Sequence, residues 1–226
     1  MTVLRKQVAK SEIDDALRRH QGILSDVRKW CVDSNTTKEG FYYLSAIPII
    51  YSAWEGYFRV TCAICLRRQC TQGLKVKKYK HGYATLWLQR ESFVETFFRN
   101  LFNSMTLGKD NRKINSGRFQ ALASFAKDVN VWLETPLNPS ANFDELVMTY
   151  SNVNPDVVKL NCDIIGIDVS TVDFSKLNEV IGRRNDIAHG GLIQYPSEGD
   201  VLGLINYTDE LLRGFHGCAK TWLSTT

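Results

Sequence analysis

The sequence lacks any hydrophobic run long enough to cross a membrane. A transmembrane helix needs about 18 to 20 consecutive apolar residues, and the closest stretch, 41–54, is interrupted by Ser45, Pro48 and Ser52. The first residues turn polar at once, which is unlike a secretory signal peptide. We therefore expect no membrane span, a cytoplasmic protein, and cysteines in the reduced state.

Clusters of metal ligands are also scarce. Cys62, Cys65 and Cys70 lie close together, and His81 is a conceivable fourth ligand, but a zinc site usually needs a second pair of cysteines or histidines. The three cysteines continue an apolar helical run, so we expect small buried side chains. No group of carboxylates is spaced to hold a divalent cation. The sequence predicts no metal and no cofactor.

Repeats, low-complexity tracts and a helix-turn-helix pattern with a basic recognition helix are absent as well, which leaves a DNA-binding module with little support. The 226 residues are enough to bury a full core, and we predict one domain over 1–226. The formal net charge of +4 permits an anionic partner such as RNA but does not identify one.

Apolar residues recur at a spacing of three and four through most of the chain, which predicts an all-α fold. On the first helix the basic residues and His20 are expected on the polar faces, and Pro48 predicts a kink or a helix start. Polar loops are predicted over 108–117 and 135–142. The predicted helices cover 11–32, 41–70, 85–105 (one helix or a pair), 119–133, a short segment from 154 to Gly166, and 199–222.

The segment FSKLNEVIGRRNDIAHGG, residues 174–191, organises the rest of the chain. Arg184 falls on the apolar stripe of its predicted helix. An arginine on the buried side of a bundle helix must either be paired with an anionic group or have a function. His189 occupies the last turn, and the pair Gly190-Gly191 ends the helix. The apolar residues of the stripe are Phe174, Leu177, Val180, Ile181 and Ala188.

An arginine, four intervening residues and a histidine, with polar Asn185 straight after the arginine, resemble the motif of the HEPN superfamily. The string WEGYFR, residues 54–59, is similar to the aromatic-plus-glutamate helix of HEPN proteins from prokaryotic conflict systems. The resemblance implies a HEPN-type helical bundle with its motif helix at about 173–190. It also implies a helical or loop insertion after the second long helix, and a homodimer in which two motifs line one cleft.

These residue types suit RNA cleavage by the 2′-hydroxyl. Histidine as a residue type suits proton transfer near neutral pH, and here that residue is His189. The fork of Arg184 matches the oxygens of a phosphorane. Asn185 could hold the phosphate or the 2′-hydroxyl. The residues leave it open whether Glu55 faces solvent or pairs with a cation. The resemblance favours pairing with Arg184 or His189.

Geometry sets a condition on this chemistry. Five residues along an ideal helix rotate by about 140°, so Arg184 and His189 do not share a face, whereas Asn185 and His189 do. For Arg184 and His189 to act on the same phosphate, either the helix must unwind at residues 188–190 or a second copy of the motif must face the first.

Two readings compete with a catalytic motif. One is purely structural: Arg184 pairs with Glu55 or Asp186 inside the fold, and His189 sits against the helix dipole. The other is a HEPN domain without turnover that binds RNA, nucleotide or a protein partner. Our first interpretation is a metal-independent endoribonuclease, serving as a toxin or anti-phage defence effector with an antitoxin or defence-system partner. His216 is expected to be structural.

A basic run without any acidic residue extends from Arg59 to Lys80. The rings of Tyr79, His81 and Tyr83 accompany it, and a base could stack on them. The alternative is a solvated helix end followed by a lysine-rich loop. The candidate RNA-binding residues are Arg59, Lys75, Lys77, Lys78 and Lys80.

Overall fold

A computed structural model describes residues 5–32, 40–106, 111–137, 142–191 and 194–225. All regular secondary structure in these ranges is helical, which confirms the all-α prediction, and none of these helices is both long and apolar enough to span a membrane. Two short 3₁₀ turns cover Val76–Lys78 and Phe143–Leu146. The helices are α1 Lys6–Val32, α2 Gly40–Cys70, α3 His81–Leu88, α4 Ser92–Thr106, α5 Asn111–Leu133, α6 Pro155–Ile165, α7 Leu177–His189 and α8 Glu198–Thr225.

The chain divides into two compact units. Unit 1 comprises residues 1–71 and 142–226, and therefore holds α1, α2, α6, α7 and α8. Unit 2 comprises residues 72–141, with α3, α4 and α5. Unit 2 occupies the place of the predicted insertion, between the second long helix and the motif helix.

Aromatic side chains at the middle of α2 form the centre of unit 1. Trp54, Tyr57 and Phe58 are buried on α2, and Phe215 of α8 lies among them, with its ring centroid 5.3 Å from that of Phe58 and 5.8 Å from that of Trp54. Burial of each such ring contributes about 1.5 to 3 kcal/mol. These contacts fix α8 against α2, and α1 packs along both helices.

Helix α1 begins at Lys6, five residues before the predicted start. Two of its large apolar side chains are not fully buried, since Trp30 is 38% exposed and Leu17 is half-buried. The stripe that is buried has a spacing of three and four and consists of Ala9, Ile13, Ala16, His20, Leu24, Val27 and Cys31.

His20 is part of this buried face, so its predicted place on a polar face is wrong. Its side chain is 7% exposed, and Nδ1 donates to the Ala16 carbonyl oxygen at 2.8 Å. The ring lies edge-on to Tyr57 with 5.8 Å between centroids. Gly56 makes room for it, because a Cβ at Gly56 would lie 2.8 Å from Nε2 of His20. His20 can be buried here because its ring makes a hydrogen bond and because Gly56 has no side chain to clash with it.

Helix α2 runs through Pro48 without interruption, so the helix does not start there. The proline ring lacks an N–H and removes one hydrogen bond of the first turns. Downstream, Tyr51 and Trp54 both reach the buried residue Val153. The Val153 N–H donates to the Tyr51 hydroxyl at 2.8 Å, and Trp54 Nε1 donates to the Val153 carbonyl at 3.1 Å. Both backbone groups of Val153 are therefore satisfied by side chains of α2.

Helix α6 has the boundaries that its sequence signals predict. The side chain of Asn154 accepts a hydrogen bond from the Val157 N–H at 2.9 Å, and Pro155 occupies the first turn. Gly166 ends the helix in the left-handed region at φ 92°.

Unit 2 is built around the antiparallel pair α4 and α5. Phe97 stacks on Phe125 with 4.4 Å between centroids. Residues 111–117, predicted as part of a polar loop, form the first turns of α5, while 107–110 lie outside the described residues. Gly117 permits the close approach of the two helices, because a Cβ there would lie 2.9 Å from Cβ of Ser104. Of the two possibilities predicted over 85–105, one helix or a pair, the structure has the pair, α3 and α4.

The two ends of unit 2 meet at its base. The Val76 N–H donates to the Thr135 carbonyl at 3.0 Å, and Lys75 forms an isolated antiparallel bridge with Pro136. Trp132 Nε1 donates to Glu91 at 3.0 Å and fixes the end of α5 against the start of α4. Hydrogen bonds thus hold the first and last segments of unit 2 together.

Candidate active site

The motif helix α7 begins at Leu177, later than the predicted start near residue 173. Asp173 accepts a hydrogen bond from the Ser175 N–H at 2.9 Å, which makes a turn in front of the helix, and Phe174 lies in that turn. At the other end Gly190 is left-handed at φ 67°, and the N–H of Gly191 donates to the Asp186 carbonyl at 3.0 Å. The predicted glycine stop is confirmed.

Arg184 lies on the continuation of the buried stripe and is half-buried. Its guanidinium carbon stands 5.6 Å from the centroid of the Tyr51 ring, and Nη1 donates to Oδ1 of Asn185 at 3.0 Å. Among the described residues Arg184 makes no ion pair within 4 Å, so neither Glu55 nor Asp186 is its partner. The arginine packs on an aromatic face and an amide.

Tyr51 is the residue of this site that sequence reasoning missed. Burial, together with the neighbouring Glu55 carboxylate, raises the pKa of its hydroxyl to about 12, against the opposing effects of the Val153 N–H and Arg184. The hydroxyl is therefore neutral at working pH. The one signal available in the sequence is the spacing, because Tyr51 precedes Glu55 by one turn of α2.

Glu55 is half-buried on α2, one turn after Tyr51. Its interaction is with the Tyr51 hydroxyl. It forms no ion pair with Arg184 or His189 among the described residues, in contrast to the pairing that the resemblance favoured.

His189 is the last residue of α7 and is exposed. The helix is regular through it, so the unwinding that would bring His189 onto the face of Arg184 does not occur. Asn185, half-buried, shares the face of His189. Ala188, which the pattern placed on the buried stripe, is exposed. Beyond Ile181 the stripe of α7 is thus left partly uncovered, with Arg184 in the uncovered part.

The HEPN-like motif, the helix that carries it and the aromatic helix beneath it agree with a comparison against known families. The model of the RiboL-PSP-HEPN family matches residues 11–220. The chain belongs to the RiboL-PSP-HEPN family. No curated protein and no solved structure shows a significant match to it.

On the flank of α7 away from His189, this HEPN domain has a pocket of about 410 Å³. Arg183 on this flank pairs with Glu179 at 2.8 Å one turn earlier. Asp200 lies across the pocket, where hydrogen bonds from Ser197 hold its pKa below the usual range. The residues around the pocket are Leu44, Ile47, Arg183, Asp186, Ile187, Gln194, Tyr195, Pro196 and Asp200.

His216 of the HEPN domain lies apart from the motif, in the contact between α1, α2 and α8. Nε2 donates to Asp14 at 3.1 Å, and Nδ1 accepts from the Tyr57 hydroxyl at 2.9 Å. Burial lowers the pKa of His216, which Asp14 partly offsets. Lys220 also bonds both oxygens of Asp14 at 2.8 Å. These contacts agree with the structural role expected for His216.

The candidate RNA-binding residues divide between the two units. Arg59 is exposed on α2 in unit 1, and the four lysines are exposed in unit 2. Glu134 binds two of them, Lys75 at 3.0 Å and Lys77 at 2.5 Å, and both lower the pKa of its carboxyl. Tyr83 is fully buried, so it is not a ring on which a base could stack. Of these four candidate lysines, Lys78 and Lys80 have no ion pair in the described part of the chain.

The cysteines of the HEPN domain behave as small core side chains. Cys62, Cys65 and Cys70 are buried and free, and burial raises the pKa of the thiols of Cys62 and Cys65. No three metal-ligating side chains among the described residues are grouped to hold an ion.

Proposed function

We propose that this HEPN protein is a metal-independent endoribonuclease that acts as a homodimer. The observation that carries the proposal is the end of α7, where Arg184 is held by Tyr51 and Asn185 while His189 stands exposed one turn beyond. The family supplies the expectation of a ribonuclease, and the residues supply a cation for a phosphorane and an imidazole that can accept or donate a proton.

The reaction needs only RNA as substrate. The 2′-oxygen attacks the adjacent phosphorus while a histidine takes the 2′-proton, and the bond from phosphorus to the 5′-oxygen breaks as a second histidine returns a proton to that oxygen. The products are a 2′,3′-cyclic phosphate and a free 5′-hydroxyl. Arg184 stabilises the extra negative charge of the phosphorane. Asn185, on the face of His189, is placed to hold the phosphate or the 2′-hydroxyl.

The regularity of α7 supports the proposed dimer. Because Arg184 and His189 lie about 140° apart around the helix axis, one chain does not direct both at one phosphate. A second α7 placed across a twofold axis would supply the missing group, and one histidine could act as base and the other as acid. The exposed Ala188 and the uncovered end of the stripe support this face as the contact.

A toxin or anti-phage defence effector is the role that the HEPN resemblance suggests, with an antitoxin or defence-system protein as partner and the cytoplasm as location. The alternative is a HEPN domain without turnover that binds RNA, nucleotide or a protein partner. One observation favours that alternative: His189 has no hydrogen bond in the described part of the chain to fix its tautomer.

The two functions separate when purified protein is incubated with RNA in EDTA. We expect cleavage to persist and to fall by about 10²- to 10⁴-fold in Arg184→Ala and in His189→Ala. Arg183→Ala is the matched control, since this neighbour is paired on the opposite flank and should keep its activity. Glu55→Gln should reduce activity less than either, because its contact is with Tyr51.

The melting curve of each variant decides whether a loss is catalytic. A folded Arg184→Ala or His189→Ala protein that cleaves RNA like the wild type would contradict the assignment. Wild-type protein that stays inert at high concentration, while binding RNA, would favour the alternative.

A further inference from the structure

Tyr51 lies directly beneath the motif arginine. Its side chain is 2% exposed, and the guanidinium carbon of Arg184 is 5.6 Å from the ring centroid. That separation is within the range of about 6 Å in which a cation is attracted to an aromatic face. Since Arg184 has no ion pair among the described residues, the ring and the Asn185 amide are the contacts that hold it.

The ring itself is firmly held. The Tyr51 hydroxyl accepts from the Val153 N–H at 2.8 Å, and Val153 is fully buried. Trp54, one turn along α2, binds the carbonyl of the same residue at 3.1 Å. A tyrosine packed and bonded in this way keeps one position, so its face offers Arg184 a fixed surface.

An aromatic support leaves the guanidinium free for a substrate. A carboxylate partner would occupy two of the five N–H donors and neutralise the charge. A ring attracts the cation through its face and takes none of these donors. With one donor given to Asn185, the others remain available for phosphate oxygens.

The geometry points to Tyr51 as a positioning residue that holds the Arg184 guanidinium through its aromatic ring and keeps its donors available for the scissile phosphate. The role in catalysis rests on the proposed ribonuclease function, whereas the hold on Arg184 does not. Glu55, next to the Tyr51 hydroxyl, then acts on the site through Tyr51.

The first measurement concerns Arg184 alone and needs no RNA. A guanidinium above a ring experiences the ring current, so the side-chain Nε–H signal of Arg184 in a ¹⁵N NMR spectrum should be displaced from the usual arginine position. Its assignment comes from the signal lost in Arg184→Lys. In Tyr51→Leu the displacement should vanish, and in Tyr51→Phe, which retains the ring, it should remain. Tyr51→Met provides a second variant without a ring if the leucine variant does not fold.

The second measurement separates kcat from KM with saturating RNA. We expect kcat to fall by about 3- to 30-fold in Tyr51→Leu, as for the loss of one cation–π contact. KM should change little, because the contact serves the transition state. Tyr51→Phe should stay within about 3-fold of the wild type. Trp54→Phe is the matched control, since it also removes a hydrogen bond to Val153 but does not touch Arg184.

An Arg184 signal at the ordinary position in the wild type, or one that is unchanged in folded Tyr51→Leu, would overturn the inference. So would a kcat for Trp54→Phe as low as that of Tyr51→Leu, because the effect would then come from packing at Val153. If the wild type does not cleave RNA, the ribonuclease proposal fails, and the NMR result still decides whether Tyr51 positions Arg184.

Discussion

Lys78 and Lys80 should govern the salt dependence of RNA binding more strongly than Lys75 and Lys77. All four lysines are exposed, but Lys75 and Lys77 bind the two oxygens of Glu134. A phosphate that approaches either of these must compete with a carboxylate already in place. Lys78 and Lys80 have no ion pair in the described part of the chain, so their charges are available to RNA.

Two double variants with the same change in net charge test this difference. Each phosphate contact to single-stranded RNA contributes roughly 0.7 to the slope of log affinity against log salt. Lys78→Gln with Lys80→Gln should therefore lower the slope by roughly 1.4, twice that value. Lys75→Gln with Lys77→Gln should lower it by less than roughly 0.7. Glu134→Gln should raise the affinity at low salt, because it releases two lysines.

The assay is binding to a non-cleavable 2′-O-methyl RNA over a series of salt concentrations. Turnover at saturating RNA should change little, since none of the four lysines has a chemical role. The exposed Lys78 and Lys80 should also leave the free energy of unfolding within about 0.5 kcal/mol. Salt slopes that are parallel for the wild type and both double variants would refute the reasoning and direct the search for the RNA path elsewhere.

Two further predictions concern the core of unit 1. Gly56→Ala should lower the free energy of unfolding by about 1 to 2 kcal/mol, because its Cβ would meet His20 at 2.8 Å. Gly22→Ala, with open space at its Cβ, should raise it by about 0.5 to 1 kcal/mol; thermal melting that ranks the two variants the other way would contradict this. The lowered pKa of His216 means that the unfolded chain binds its proton more readily, so stability should decrease as the pH falls below about 6.5. His216→Gln should flatten that decrease in urea titrations at several pH values. Asp14→Asn should steepen it, because Asp14 partly offsets the lowering of the His216 pKa, and should also remove the part of the fall below about pH 4 that comes from the lowered pKa of its own carboxyl.

Local signals in the sequence were sufficient where a helix begins or ends by its own chemistry. Helices α6 and α7 end at Gly166 and Gly190, as predicted, and Asn154 caps the predicted start of α6. The sequence pattern was misleading where the start of a helix has the polar composition of a loop. Residues 111–117 nevertheless form the first turns of α5, where Asn115 and Ser116 are exposed and Gly117 serves helix contact rather than a turn.

The candidate site could be predicted only in part, because one of its contacts joins residues that are far apart in the sequence. Arg184, Asn185 and His189 lie within six residues, so their pattern is visible in the sequence. Tyr51 is more than 100 residues from Arg184, and nothing in its local sequence shows that the two side chains meet. For Glu55 the sequence suggested a cation as partner, whereas its carboxylate lies beside the Tyr51 hydroxyl one turn earlier on the same helix.

The closed base of unit 2 has a consequence for synthesis on the ribosome. Helix α2 is complete at residue 70, but residues 72–141 must emerge before Val153, which Trp54 binds. At about 5 to 20 residues per second, those 70 residues delay the partner by about 4 to 14 seconds. During that interval the aromatic side chains of α2 cannot contact α8, because α8 has not yet been synthesised. The hydrogen bond between Val76 and Thr135 can form as soon as both residues have emerged. The insertion therefore lengthens the time during which the apolar aromatic side chains of nascent α2 lack their partners in unit 1.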